Sequence, residues 1–208
     1  MLPMKDSLPK LKTFVRILHS AAGANAVDIY ASGNPLAMNI SFGDITNYVE
    51  LSPGKYNIQI YAAGTYDTPL YSEELEMVPT ITETLCLSLL ESSLSFFRLK
   101  DVSATSNDIK SYLRFINLSP NAPLLSLSLP NGDTLFNGVE YLETTGYYPL
   151  SAGIYNFEIS ATSASALHYF ISDIDLEDGL FHTLYIIGLV DSQKPRLGSL
   201  FVQDGIKK

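Results

Sequence analysis

Residues 15–30 read Val-Arg-Ile-Leu-His-Ser-Ala-Ala-Gly-Ala-Asn-Ala-Val-Asp-Ile-Tyr, and this stretch decides the fold. A largely apolar run from Thr13 to Leu18 gives way to small residues at 21–25. Val27 and Ile29 then alternate with Asp28 and Tyr30. An apolar run, a loop and a period-two alternation predict two strands, the second with one face in a core. The pattern returns at Leu113–Leu127 as Leu-Arg-Phe-Ile-Asn-Leu-Ser-Pro-Asn-Ala-Pro-Leu-Leu-Ser-Leu, aligned without a gap at an offset of 98 (113 against 15).

The repetition extends outward from these two stretches. Ser52-Pro53-Gly54-Lys55-Tyr56-Asn57-Ile58-Gln59-Ile60 is answered by Ser151-Ala152-Gly153-Ile154-Tyr155-Asn156-Phe157-Glu158-Ile159, now at an offset of 99 (151 against 52). One residue is therefore inserted in between, and Asn131-Gly132, a strong hairpin pair, is the expected place. Leu184–Leu189 answers Leu85–Leu90, and Phe201-Val202-Gln203-Asp204 answers Arg98-Leu99-Lys100-Asp101. Self-similarity at a fixed offset predicts two copies of one unit. Pro53-Gly54 predicts a type II turn, and Gly33-Asn34-Pro35 another turn. Further strands are expected near 38–40, 46–51, 56–60, 70–77, 82–90 and 94–99. About seven short strands per copy, with almost no helical periodicity, predict two tandem antiparallel β-sandwich domains of immunoglobulin-like type. The paired Gly-x-Tyr at 54–56 and 153–155 suggests a tyrosine corner. The expected division is an N-terminal arm at 1–11, a first repeat at 12–101, a polar linker at 102–111 and a second repeat at 112–208.

Composition narrows the function classes. The chain has 208 residues, 46% hydrophobic and 17% charged, which suits packed cores and argues against disorder. A net charge of −9 without a run of Lys or Arg argues against nucleic acid as a partner. Cys86 is the single cysteine, so an intramolecular disulfide is impossible and a buried structural thiol is expected. No apolar run reaches the roughly 18 residues of a transmembrane helix, so membrane insertion is not expected. Met1–Lys12 lacks an apolar run of signal-peptide length: either the protein stays in the cytosol or a signal lies outside this chain.

Sequence motifs for catalysis are missing: G-x-S-x-G, H-E-x-x-H, C-x-x-C, phosphate loop and dinucleotide fingerprint alike. No cofactor is expected. His19 and Asp28 are open to two readings, a pair that holds a metal or poises a base, or two side chains that bond the loop backbone, which is preferred. His168 and His182 read as surface or strand residues. Asp173–Gly179 faintly resembles a calcium loop, but its glycine is misplaced and no closing glutamate follows. Glu74, Glu76, Asp173 and Asp175 read instead as a solvated strand face. Arg16 and Arg114 hold the same place in both copies, and a charge inside an apolar strand implies an ion pair. Asp28 or Asp44 is the partner expected for Arg16. Arg16, His19, Asp28, Tyr30 and Arg114 form the candidate ligand-binding set, and Tyr30, Tyr61, Tyr66 and Tyr71 a candidate aromatic surface.

Residues 15–30, with Phe42-Gly43-Asp44 and Leu51-Ser52-Pro53-Gly54-Lys55-Tyr56, resemble the bacterial family known as domain of unknown function 4397. Its pattern is approximately V-R-V-x-H-A-S-P-D-A-P-x-V-D-V-Y, then F-G-x and P-A-G-x-Y. The first copy has Arg16, His19, Val27, Asp28 and Tyr30 of that pattern, with Ala22 and Asn25 where the loop prolines stand. The second has Arg114, Pro120, Asn121, Ala122 and Pro123, with Asn117 and Ser126 in place of the histidine and aspartate. The resemblance implies β-sandwich domains, often in tandem and often exported or at the cell surface, and it supplies no reaction. The expected function is a non-enzymatic structural or interaction module with a protein or carbohydrate partner. The alternative is a metal-assisted or His-based hydrolase centred on His19 and Asp28.

Overall fold

A computed structural model describes residues 11–91, 93–102, 109–161 and 167–205. The expected N-terminal arm, apart from Leu11, and residues 103–108 of the expected linker lie outside the described residues. The first half comprises β1 (Thr13–His19), β2 (Val27–Ala31), β3 (Asn34–Ile40), β4 (Val49–Leu51), β5 (Gly54–Ala62), β6 (Tyr71–Met77), β7 (Thr82–Leu90) and β8 (Ser93–Asp101). The second comprises β9 (Lys110–Asn117), β10 (Leu125–Ser128), β11 (Thr134–Val139), β12 (Tyr148–Ser151), β13 (Gly153–Ala161), β14 (His168–Leu176), β15 (Phe181–Ile187) and β16 (Gly198–Gln203). Each half has eight strands rather than seven, and Lys110 and Ser111, expected in the linker, already open β9.

Each half is a sandwich of two four-stranded sheets. The first half has the orders β4-β1-β7-β8 and β3-β2-β5-β6, and the second β12-β9-β15-β16 and β11-β10-β13-β14, the same arrangement moved on by eight strands. The sheets are not wholly antiparallel as expected. β1 runs parallel to β7, and β9 parallel to β15. Parallel strands belong where both faces of a sheet are covered, and these four are covered on both. Val15, Ile17, Leu85 and Leu87 point into the first core with Ile29, Ile58 and Ile60. Leu113, Phe115, Leu184 and Ile186 do the same in the second core with Phe157 and Ile159.

The opposite faces of those strands make a third core. Leu18, Cys86 and Leu99 of the first half pack with Ile116, Leu118, Tyr185 and Ile187 of the second. The sheets β4-β1-β7-β8 and β12-β9-β15-β16 are therefore inner layers that face each other, and the remaining two are outer layers. Two sandwich-like halves are present as expected, and a third core joins them: a run such as Thr-Phe-Val-Arg-Ile-Leu-His is buried almost throughout because its two faces serve two cores. Cys86 is wholly buried in the shared core, and burial pushes its thiol well above the ordinary range.

Local turns explain other departures. Ser32 and Gly33 have φ of 47° and 82°, the paired positive values of a type I′ hairpin, so Asn34 and Pro35 begin β3 instead of forming a turn. The equivalent β10–β11 hairpin closes through Leu129 N–H on the Asp133 carbonyl at 2.8 Å, and its longer loop holds Asn131-Gly132, where the extra residue was expected. Gly54 and Gly153 have φ of +145° and +148°, positive but far from the ~+80° of a type II turn. Gly54 follows a crossing from inner to outer sheet, because β4 and β5 belong to different layers. Tyr56 donates to the Ser52 carbonyl at 3.0 Å and Tyr155 to that of Ser151 at 2.9 Å, the hydroxyl-to-backbone bond of the expected tyrosine corner. Thr46, expected in a strand, instead accepts the Ile17 N–H on its hydroxyl at 2.9 Å, and regular pairing with β1 begins only at Val49.

Candidate functional site

Arg16 and Arg114 lie on the inner-sheet faces turned toward the opposite half, since their neighbours on either side fill their own cores. Arg16 does not pair with Asp28 or Asp44. Its Nη2 donates to Asp204 Oδ1 at 2.5 Å, its Nη1 to the Gln203 carbonyl at 3.0 Å and its Nε to Thr84 Oγ1 at 2.7 Å. Arg114 makes the same set in reverse: Nη2 to Asp101 Oδ1 at 2.7 Å, Nη1 to the Lys100 carbonyl at 3.0 Å and Nε to Thr183 Oγ1 at 2.9 Å. Each arginine thus binds the aspartate of the other half. Each aspartate is also held by its own half, Asp101 by the hydroxyls of Thr84 and Tyr48 at 2.6 and 2.7 Å, and Asp204 by those of Thr183 and Tyr147 at 2.5 and 2.7 Å. The guanidinium carbons of Arg16 and Arg114 sit 4.6 and 4.8 Å over the rings of Tyr48 and Tyr147.

Burial disfavours all four charges, so their mutual contacts decide their state. For Arg16 and Arg114 burial opposes the cation, yet the surrounding tyrosines and carboxylates outweigh it and hold both groups above the usual arginine range. Burial, and then the neighbouring Asp204, pushes the Asp101 carboxyl up. Burial likewise pushes the Tyr48 and Tyr147 phenols up, each aided by its own aspartate, so both remain donors. Two guanidinium and two carboxyl groups in reciprocal hydrogen bonds, none more than 5% exposed, form a buried clasp between the halves.

His19 and Asp28 are not brought together. His19 is fully buried, its Nε2 bonds the Asn25 carbonyl at 3.1 Å and its Nδ1 has no partner among the described residues. Burial lowers its pKa below the ordinary 6.5, which favours the neutral ring. Asp28 Oδ1 accepts the Asn39 N–H at 2.6 Å, and Oδ2 the Gly64 N–H at 2.8 Å. The first bond supports a bulge in the β2–β3 pairing where Asn39 has φ +50°. Ser126 does the same work in the second half, taking the N–H of Gly138, φ +66°, at 3.1 Å. Among the described residues, no three of His, Cys, Asp or Glu are grouped to hold a metal ion. Two open hollows of about 430 and 520 Å³ lie in the second half, beside Gln193 and Arg196 and beside Tyr148 and Tyr155, and neither is lined by His19 or Asp28.

The second bond of Asp28 leads to the outer face. Val27 and Ile29 point inward, so Asp28 and Tyr30 share the opposite face of β2, paired across to Tyr61 and Gln59 of β5. By holding Gly64, Asp28 moors the loop that carries Tyr66. The rings of Tyr30, Tyr61 and Tyr66 cluster there, with centroids 5.6 Å apart for Tyr30–Tyr61 and 4.7 Å for the other two pairs. Tyr66 is 53% exposed, whereas Tyr61 lies beneath it at 4%. Burial, then the Tyr66 hydroxyl, raises the Tyr61 phenol. Tyr71 does not join them: it packs edge-on against Phe96 at the rim of the core.

Among the described residues, the matching face of the second half carries no such tyrosine cluster. Ser128, Glu158 and Ser160 stand where Tyr30, Gln59 and Tyr61 do, and Glu158 lies 3.4 Å from His168. Of the five candidate residues, then, Arg16 and Arg114 meet in the clasp, Asp28 and Tyr30 meet at the outer face, and His19 serves its own loop. Thr84, Thr183, Tyr48, Tyr147, Asp101 and Asp204 were missed as partners. The signal for them was the repeat itself: Thr84 and Tyr48 recur 99 residues on (183 against 84, 147 against 48) as Thr183 and Tyr147, and Asp101 recurs in the matching closing strand as Asp204.

The chain belongs to the family described as domain of unknown function (DUF4397), which it matches over residues 13–128. The match begins at the first residue of β1 and ends at the last of β10, so it covers the first sandwich and enters the second. No curated protein matches the chain.

Proposed function

We propose that this protein is a non-enzymatic interaction module whose binding half is the first, presented on a scaffold of two clasped sandwiches. The observation that carries this reading is where free polar chemistry lies. The buried charges saturate one another, and His19 and Asp28 serve loops and a bulge. By contrast, the outer face of the first half presents Tyr66, 53% exposed, beside Tyr30, with the Gln59 amide paired across from Tyr30. Catalysis needs several groups converging on a reacting atom, and His19 lines neither of the two hollows described above. The family resemblance makes the cell surface or envelope the setting we favour, and fractionation of cells tests that placement. Among the described residues, no helix is long and apolar enough to cross a membrane.

The competing hydrolase is tested directly. The full chain, with and without Zn²⁺, is assayed against chromogenic esters, phosphates and glycosides alongside His19→Asn, which installs the residue of the second half. Equal, background-level rates from both proteins are expected. Turnover by the wild type that disappears in His19→Asn would establish an enzyme instead.

A further inference from the structure

We propose that the outward face of the sheet β3-β2-β5-β6 binds a neutral pyranose glycan, with Tyr66 as the stacking ring, Tyr30, tilted 58° to it, as its side wall, and Gln59 as the central hydrogen-bonding group. The assignment rests on the first half being the binding half and adds the class of ligand. Gln59 stands at a crossing: Tyr30 and Ser72 flank it across the sheet, and Asn57 and Tyr61 flank it along β5. Cross-strand neighbours lie about 4.8 Å apart, so the Gln59 amide is within reach of anything resting on the rings. An aromatic face carries negative quadrupolar charge and attracts the polarised C–H groups on one side of a sugar ring. The amide, both donor and acceptor, satisfies adjacent hydroxyls, and Asn57 and the Ser72 hydroxyl, which bond each other at 2.8 Å, extend the polar row.

Charge on this face argues against an anionic ligand. Lys55 is tied to Glu74 at 2.7 Å, the Asp28 carboxylate is consumed by two backbone N–H groups, and Glu76, opposite Lys55, adds a further carboxylate. A protein partner fits less well. Protein interfaces of standard size take about 800 Å² per side around an apolar centre, whereas here three rings border directly on amides and a hydroxyl. The platform is also organised in advance, because Asp28 holds Gly64 and Thr65 closes its turn onto the Ala62 carbonyl through both N–H and hydroxyl, at 3.0 and 2.8 Å. Little ordering is left to offset binding.

The test uses the full chain on an array of immobilised neutral β-glucans, mannans and galactans together with unrelated peptides, followed by calorimetry with the glycans retained. Saturable binding to a neutral glycan is expected. Tyr66→Ala and Gln59→Ala should each weaken it about tenfold or more, while Tyr66→Phe retains it. Ser160→Ala, on the matching face of the second half, should leave it unchanged. Circular dichroism verifies that each variant is folded. Glycan binding indifferent to Tyr66→Ala would overturn the site. Peptide binding alone, lost in Tyr66→Ala, would overturn the glycan and leave the interaction module standing. No binding to either class would remove both.

Discussion

The clasp between the two inner sheets is built from the same side chains in the same roles in both halves, whereas the solvent faces of the two outer sheets differ. Arg16 and Arg114, Thr84 and Thr183, Tyr48 and Tyr147, Asp101 and Asp204 correspond member for member and bond for bond. On the outer faces, Tyr30, Gln59 and Tyr61 correspond to Ser128, Glu158 and Ser160. The difference teaches what each face answers to. An inner-face residue has its partner in the other half, so a change there strands a buried charge. An outer-face residue meets solvent, and its loss carries little stability penalty. Outside the clasp, partner change is tolerated even at the inner sheets' margins: Glu83 pairs with Arg98 at 2.7 Å in the first half, where the second stacks His182 on Phe201 at 5.0 Å.

The most direct way to break this comparison is to remove one aspartate of the clasp. Asp204→Ala, which takes from buried Arg16 its nearest carboxylate and leaves it only Asp101 at 3.8 Å, should destabilise the chain by about 3–5 kcal/mol in urea unfolding. Asp101→Ala, which leaves Arg114 with only the longer 3.4 Å contact to Asp204, should lose a similar amount. The wild type should unfold in one transition seen alike by near- and far-ultraviolet circular dichroism, since the shared core couples the halves. Two separated transitions, or a large loss from one substitution only, would show that the halves do not depend on each other equally.

His19 sharpens the comparison at the loop end, where the halves differ. Burial lowers its pKa below 6.5, so the unfolded chain binds a proton more readily than the folded one. Its contribution is then present above pH 6.5 and is lost as pH falls from there toward the folded pKa. Burial lowers His182 too, with the same sign. His19→Asn should therefore flatten, without abolishing, the fall in stability between about pH 7 and 5. An unchanged slope would mean that His19 takes up its proton equally well when folded.

The smallest expected effect has the opposite sign. Gly153 matches Gly54 in φ, so position 152 should accept the proline found at 53. Ala152→Pro is expected to stabilise by about 0.4–1 kcal/mol through the unfolded chain, read as a higher urea midpoint with unchanged slope. A lower midpoint would show that the two crossings differ before the glycine.

Much of the fold was legible because the repeat writes every strand twice. Thr82–Leu90 emerges with the bounds read from its apolar run, and the tyrosine corner was visible as a glycine and tyrosine at matching places. β3 was read too short because Pro35 resembles a turn residue, whereas the positive φ falls on Ser32 and Gly33. The parallel centre escaped because direction is not encoded in a strand's periodicity. The candidate site was legible by parts. Arg16 and Arg114 were recognised as charges needing partners, but the nearest acids in sequence, Asp28 and Asp44, were the wrong ones.

By itself, then, the sequence determined the strand content, the twofold repetition, the place of the inserted residue and the need for buried counter-charges, because alternation, fixed offsets and desolvation are local or compositional facts. Only the tertiary structure decided which aspartate meets which arginine and that the two cores are joined by a third. It also decided that Asp28 supports a tyrosine face instead of a histidine. Those outcomes depend on which sheet faces turn toward each other, and strands with two apolar faces are compatible with more than one such stacking until the whole chain is folded.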